Sequence, residues 1–247
     1  MTYILILFLT YVLHLLLKLN WVCTAVVLVF LLIMQHFHRI KGQRFQEARK
    51  RFLDVSLYID TLLYSFLKEQ KIIRAFEDVK STLADGHMKE TVSRAIDHMM
   101  LTFDETEVFV DAMRIIENEY KCNRIVNAHE FMAHAEYYGG DIKESARILL
   151  KDKSAWERRI LRNIEDRQRM FHQIILSVVT SVIISGIILC LPVLSMDISS
   201  NIIVQILSAA LIVLDDLIIL WGQKFLEVDY LGIDLLPEDD KLSLIHI

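Results

Sequence analysis

Residues that interrupt helices are scarce in this chain, whose 247 residues include seven Gly and two Pro. No stretch alternates apolar and polar residues with a period of two, so β-strands have little support. The three cysteines, Cys23, Cys122 and Cys190, are scattered and form no CxxC spacing. This argues against a zinc site or a disulfide framework. It favours cysteines that act as small buried hydrophobic residues in a reducing compartment. We therefore expect an all-α protein.

Strong charge imbalance is also lacking, because a formal net charge of -5 is too mild to imply a nucleic-acid partner. Hydrophobic residues make up 54% of the chain and are concentrated near its two ends. No Lys or Arg precedes the first apolar run and no small-residue cleavage site follows it, so we expect that run to remain in the mature protein.

The apolar ends predict two pairs of membrane spans. Residues 3–17 and 21–37 are short for spans, and we predict a transmembrane hairpin within residues 1–38. One tilted span with an interfacial helix is the alternative. Residues 174–194 and 202–220 are apolar and the second run ends at Trp221, which predicts a second hairpin within residues 172–221.

The stretch between the hairpins, residues 39–171, has apolar residues at helical spacing. We predict six amphipathic helices in an antiparallel cytoplasmic bundle. They cover about 44–68, 71–83 and 87–101, then start from caps at Asp104 or Thr106, from Asn127, and from Asp141. The inward positions are Phe52, Val55, Ile59, Leu62, Leu63 and Phe66 in the first helix, and Ile72, Ile73, Phe76 and Val79 in the second. In the third and fourth they are Val92, Ala95, Ile96, Met99, Val108, Phe109, Ala112, Ile115 and Ile116.

The last of these helices is predicted to be unusually long. Gly139 and Gly140 end the preceding helix and Asp141 caps the next, which meets no stop signal for about fifty residues. It is charged at first and wholly apolar from residue 174, and residues 141–185 contain neither Gly nor Pro. A helix with this pattern passes from water into the membrane.

Basic residues flank the predicted bundle where it meets the membrane. Residues 39–51 hold six basic residues and one acid, and residues 151–169 hold seven and four, so both flanks are expected on the cytoplasmic side. An even number of spans then places both termini in the cytoplasm. This basic collar could bind anionic lipid or an acidic partner, or merely fix the topology. Its residues are Arg39, Lys41, Arg44, Arg49, Lys50, Arg51, Arg158, Arg159 and Arg162.

Two adjacent acids in the last span, Asp215 and Asp216, are the first candidates for chemistry. Ionisable residues at membrane depth are costly and often functional, so a membrane transport or ion-coupling protein is the alternative function. A structural role is the other interpretation, with the acids facing the interior of the helix bundle or paired with a nearby base. The available bases are His36, His38, Arg169, His172 and Lys224.

The histidines and the glycine pair carry weaker signals. His129 and His134 are five residues apart, and on a helix this turns the rings about 140° from each other, whereas a zincin motif needs a spacing of four. We expect His98, His129 and His134 to be solvated or partly buried. Gly139 and Gly140 lack the GK[ST] of a nucleotide loop. The sequence predicts no metal, no cofactor and no catalytic set.

The order of these elements resembles the type II secretion system F domain family, in particular the inner-membrane platform proteins of the tight adherence pilus branch. The resemblance covers about residues 45–194. It is carried by the long helix leading into Lys71-Ile-Ile-Arg-Ala-Phe76, by the glycine joint within 131–150, and by the charged helix of 158–192 that ends in an apolar span with a proline. Glu69-Gln70 replaces a family glycine, and a polar linker lies around 103–107.

This resemblance implies a non-enzymatic platform in the cytoplasmic membrane. Such a protein docks a hexameric assembly ATPase on its cytoplasmic bundle and acts on pilin subunits in the bilayer, with a second platform subunit or a second copy as a further partner. A cytoplasmic tail of residues 222–241 would follow. Residues 242–247 match the conceptual translation of a sequencing adapter and are interpreted as an assembly scar.

Overall fold

The computed structural model describes residues 2–101, 107–139, 142–190, 201–228 and 230–231. All regular structure in these ranges is α-helical, which confirms the all-α prediction. The helices, in chain order, are α1 (Thr2–Leu16), α2 (Trp21–Glu69), α3 (Ile72–Thr82), α4 (His87–Leu101), α5 (Glu107–Tyr120), α6 (Asn123–Tyr138), α7 (Ile142–Cys190) and α8 (Ile202–Lys224).

Three of these helices, α2, α7 and α8, are long and apolar enough to cross a membrane. Helix α1 is apolar but has only 15 residues. It therefore extends about 22 Å, less than the roughly 30 Å thickness of a hydrocarbon core. The three long apolar helices indicate a membrane protein.

Helix α2 is longer than the sequence analysis predicted. The expected span over 21–37 and the expected helix over 44–68 are parts of one helix of 49 residues. Gly42 lies between them, and nothing approaches within 4 Å of the position that its Cβ would occupy. A single glycine costs a helix about 1 kcal/mol relative to alanine, too little to break one that is flanked by good helix formers.

Helix α7 also has 49 residues, which confirms the prediction of one helix of about fifty. Helix α6 begins at Asn123, one turn earlier than the predicted start at Asn127. The proposed caps Asp104, Thr106 and Asp141 lie outside the described residues, as do residues 195–200 of the turn expected over 195–201 and the tail beyond residue 231.

The chain folds as two compact units. The first consists of Met1–Gln46 and Ile164–Val228, and the second of Glu47–Asn163 and Asp229–Ile247. Both α2 and α7 contribute residues to each unit. The predicted domain boundaries near residues 38 and 171 therefore fall inside continuous helices.

Apolar side chains from four helices form the core of the first unit. Leu13, Leu17, Leu19, Val27 and Ile212 are buried there, and Val182 and Leu189 of α7 pack against them. Gly186 lies where α7 meets α1, because a Cβ on it would lie 2.5 Å from Cγ of Leu16. The close approach of α1 and α7 thus depends on a residue without a side chain.

Polar contacts join α2 and α8 near both ends of their apolar segments. At one end, Oε1 of Gln205 accepts a 2.8 Å hydrogen bond from the Asn20 N–H, and Nε2 of Gln205 donates to the Lys18 carbonyl at 2.9 Å. At the other end, His38 contacts Gln223 at 3.0 Å. Asn20, the residue before α2, meets Gln205, and His38 of α2 meets Gln223, so α2 and α8 run parallel.

The core of the second unit contains most of the predicted inward positions, whereas Ile73, Phe109 and Ile115 are only half-buried. The six apolar residues predicted for the α2 face, from Phe52 to Phe66, are at most 1% exposed. Trp156 of α7 is fully buried and packs edge-on against Phe52, with ring centroids 5.0 Å apart. The 3.6-residue period thus located the buried face of α2 in this unit correctly.

Two of the short joints in the second unit use residues other than glycine in the left-handed region. Gln70, between α2 and α3, has φ of 51°, and Lys121, between α5 and α6, has φ of 45°. The N–H of each bonds the carbonyl four residues earlier, at 2.8 Å in both cases. The joint after Glu69 is thus made without a glycine, as predicted, and its conformation costs about 1 kcal/mol for an L-residue.

Replacing Gln70 by Gly is expected to raise the free energy of unfolding by up to about 1 kcal/mol, because glycine has no steric penalty at this φ. Thermal unfolding of the full chain in detergent, followed by circular dichroism, measures the change. Lys68→Gly, inside the last turn of α2, is the control and should lose stability. Unchanged or lower stability of the Gln70→Gly protein would contradict the strained-joint interpretation.

Candidate functional site

Asp216 belongs to a small polar cluster in the first unit. Its Oδ1 lies 3.1 Å from Nε2 of His38, and Nδ1 of the same ring lies 3.0 Å from Oε1 of Gln223. Of the bases considered in the sequence analysis, His38 is the one that contacts Asp216. The cluster links α2 to α8 where the apolar part of α2 ends.

Asp215 has a different environment although it is the neighbouring residue. It is 7% exposed, on the same face of α8 as Ser208, Ile212 and Gly222. No described residue donates a hydrogen bond to its Oδ2. The two acids form one feature in the sequence, whereas the structure gives them two separate surroundings.

The residues of the predicted basic collar differ in their contacts. Lys41 lies 3.7 Å from Glu227 in an ion pair of the first unit. Arg51, in the second unit, donates a hydrogen bond to the Glu119 carbonyl and lies over the Tyr120 ring, 5.1 Å from its centroid. Arg159 is half-buried. The exposed members are Arg39, Arg44, Arg49, Lys50, Arg51, Arg158 and Arg162.

The predicted joint after α6 is described only in part. Gly139 has φ of 67°, and its N–H bonds the Ala135 carbonyl at 3.1 Å. This left-handed residue ends α6 at Tyr138, as a helix break requires. Gly140 and Asp141 lie outside the described residues.

A buried hydrogen-bonded set, which the sequence analysis missed, joins three helices of the second unit. His129 of α6 is 1% exposed, so the expectation that it is solvated or partly buried is wrong. Its Nε2 lies 2.6 Å from the hydroxyl of Tyr58 on α2, and its Nδ1 lies 2.7 Å from Oε1 of Glu117 on α5. The missed signal is that Ile125, His129 and Met132 share one helical face.

Burial is the main cause that lowers the pKa of His129, and the hydrogen bond that His129 donates to Glu117 opposes it. Burial raises the pKa of the Tyr58 hydroxyl well above its usual range. A neutral imidazole satisfies this arrangement, with Nδ1–H donating to Glu117 and the Tyr58 O–H donating to Nε2. His134 is exposed and stacks on Tyr138, with ring centroids 4.7 Å apart.

Lys153 forms a second buried polar contact in this unit. It is 2% exposed and donates hydrogen bonds to Asp60 of α2 and to Glu157, the latter at 2.7 Å. Two carboxylates thus surround one buried ammonium group, and removal of either partner would leave a poorly compensated charge. This contact attaches α7 to α2 within the second unit.

An open apolar cleft of about 290 Å³ lies on the surface of the second unit. Its one charged lining residue is Glu136, whose carboxylate accepts a 3.2 Å hydrogen bond from the Ile72 N–H at the start of α3. The other lining residues are Ile72, Phe109, Val110, Ala133 and Tyr137. Such a lining suits contact with an apolar group and offers no nucleophile paired with a base.

Comparison of the chain with protein-family models gave no match, and comparisons with curated proteins and with solved structures gave no significant match. The family resemblance therefore depends on the residues and helices of this chain. No group of three or more His, Cys, Asp or Glu side chains that could hold a metal ion occurs among the described residues.

The His129 environment predicts a pH dependence of stability. A histidine whose pKa falls on folding binds its proton more readily in the unfolded chain. Stability from this group is complete above the unfolded pKa of about 6.5 and is lost as the pH falls below it, by at most about 1.4 kcal/mol per pH unit. The loss levels off below the lowered pKa of the folded state.

The measurement is urea unfolding of the full chain at a series of pH values, followed by the fluorescence of Trp156 with Trp21 and Trp221 replaced by Phe. His129→Gln should remove this part of the pH dependence, and the exposed control His134→Gln should keep it. Identical pH profiles for the wild type and His129→Gln would show that His129 does not titrate differently on folding.

Proposed function

We propose that this protein is an inner-membrane platform of a type II secretion or tight adherence pilus assembly system, which couples a cytoplasmic assembly ATPase to the extrusion of pilin subunits. The observation that supports this most directly is helix α7, which is unbroken from Ile142 to Cys190 and contributes to both compact units. It is rich in charge before residue 170 and apolar from residue 174 onward. The proposed role is mechanical and needs no catalytic group.

The proposed architecture is a six-helix antiparallel cytoplasmic bundle between two transmembrane helix pairs. The bundle comprises α3, α4, α5 and α6 with the parts of α2 and α7 that belong to the second unit. The pairs are α1 with the apolar part of α2, and the apolar part of α7 with α8. The buried apolar faces of the second unit support the bundle, and the three long apolar helices support the spans of α2, α7 and α8. The proposed span over the 15-residue α1 is supported by its apolar composition alone.

The proposed orientation places the bundle and both termini in the cytoplasm. The side of the bundle follows from the excess of Lys and Arg in residues 39–51 and 151–169, the segments next to the apolar parts of α2 and α7. The side of the N-terminus follows only if α1 also crosses the membrane. Exposed collar residues such as Arg44 and Arg158 can then lie near anionic lipid headgroups at the cytoplasmic membrane. A second platform subunit or a second copy of the chain is the expected neighbour in the bilayer.

Movement can pass along α7 because this helix has no hinge before its far end. Sharp bends in helices occur at Pro, at Gly or at inserted residues, and residues 142–185 contain neither Pro nor Gly. In the second unit, Lys153 and Trp156 attach α7 to Asp60 and Phe52 of α2. A displacement imposed on that unit by a motor would therefore move α7 as a whole.

Breaking α7 is the test of this proposal. Glu165→Gly with Asp166→Pro should interrupt the helix, because proline in a helix interior costs about 3 kcal/mol. Glu165→Ala with Asp166→Ala is the matched control, since both residues are exposed and the same two charges are lost. The Gly-Pro protein should still co-purify with the assembly ATPase encoded near its gene, but cells that carry it should assemble no pili. Cells that carry the Ala-Ala protein should assemble pili.

Two results would contradict the proposal. Normal pilus assembly with the Gly-Pro protein would show that an unbroken α7 is not required. Failure of the unmodified chain to bind an assembly ATPase would remove the platform function itself. Immunoblotting of membranes for both variants controls for loss of the protein.

A further inference from the structure

The buried face of α8 contains a single acid. Gln205, Ser208, Ile212, Asp215 and Gly222 are its buried residues, and their spacings of three, four and seven place them on one side of the helix. Asp215 is 7% exposed and lies between Ile212 and Gly222 on this side. Asp216 lies about 100° further round the helix, where it contacts His38.

Helix α7 covers the Gly222 end of this face, whereas Gln205 at the other end contacts Asn20 and Lys18. A Cβ on Gly222 would lie 3.0 Å from Ile174 and 3.3 Å from Phe171, whereas Ile212, ten residues earlier, packs in the core cluster with Val182 and Leu189. The two helices therefore run antiparallel. Since Asp215 lies between these two contacts, it lies opposite the segment of α7 between residues 174 and 182.

No charge in that segment can balance a carboxylate. Residues 173–189 of α7 contain no Asp, Glu, Lys, Arg or His. The nearby ionisable groups on the other helices already have contacts: His38 with Asp216, and Lys41 with Glu227. His36 of α2 and His172 of α7 are exposed.

A charged carboxylate is energetically unfavourable when one of its oxygens is buried without a donor or a counter-ion, more so at membrane depth. Among the described residues nothing donates to Oδ2 of Asp215. The same ranges contain no group of His, Cys, Asp or Glu that could hold a metal ion. A covalently bound proton neutralises the group and needs no further ligand.

We propose that Asp215 is a proton-binding site closed between α7 and α8. The carboxyl group holds a proton while the two helices are packed, and it releases the proton to water when α7 moves away from α8 and water reaches Oδ2. Protonation of Asp215 is then linked to the position of α7. This inference goes beyond the platform proposal and does not depend on it.

Infrared spectroscopy tests the proposal on the full chain, reconstituted in ether lipids because they contribute no ester carbonyl band. At neutral pH the wild type should show the carbonyl stretch of a protonated carboxylic acid, shifted in D₂O. Asp215→Asn should lose this band, and Asp216→Asn should keep it. Absence of the band from the wild type, or its persistence in Asp215→Asn, would overturn the proposal.

A second pair of variants tests the link to helix packing. Gly222→Leu inserts a side chain where a Cβ already meets Ile174, so it should part the helices, admit water and abolish the band at neutral pH. Leu214→Phe, at a position 58% exposed beside Asp215, is the control and should keep it. A band unchanged in Gly222→Leu would contradict the link. Loss of the wild-type band on adding Na⁺ or Ca²⁺ at constant pH would identify a metal site and overturn the proton assignment.

Discussion

A helix that enters hydrocarbon must satisfy its backbone N–H and C=O groups within itself, because lipid offers no hydrogen-bond partner. Both 49-residue helices of this protein meet that requirement because each is an unbroken helix. Each also has residues in both compact units. No proline occurs within either helix, and the glycines Gly42 and Gly186 do not break them. The proposed mechanical role depends on this continuity.

Polar side chains fix the apolar part of the fold at two levels. Asn20, directly before α2, and His38 of α2 are 18 residues apart, and their partners in α8, Gln205 and Gln223, have the same separation. At 1.5 Å per residue this is about 27 Å, close to the thickness of a hydrocarbon core of about 30 Å. Apolar packing is not directional, so these hydrogen bonds define the register of the two parallel helices.

Much of the fold could be predicted because one physical signal, the spacing of apolar residues, determines which faces are buried. The faces of α2 from Phe52 to Phe66 and of α4 from Val92 to Met99 follow it. The length of α7 followed from the absence of stop signals. The continuity of α2 was not predicted, because the change of composition near residue 38 was interpreted as a boundary although nothing there ends a helix.

The polar contacts were harder to predict because they depend on which helices meet. His129 was judged by its residue type, yet its position on an apolar face between Ile125 and Met132 places it in the core beside Tyr58. Asp215 and Asp216 are adjacent in sequence, and only the packing of α8 against α2 and α7 distinguishes them. Spacing within one helix carries no information about a partner on another.

The most direct measurement of the central claim is a distance along α7. Ile148 and Ile183, which are 58% and 48% exposed, are replaced by Cys and spin-labelled. The native Cys23, Cys122 and Cys190 are replaced by Ala, and the labelled protein is measured in nanodiscs. Thirty-five residues of unbroken helix predict a single narrow electron–electron distance distribution near 50 Å. A broad distribution, or a peak well below this distance, would show that α7 is bent or broken and would contradict the account.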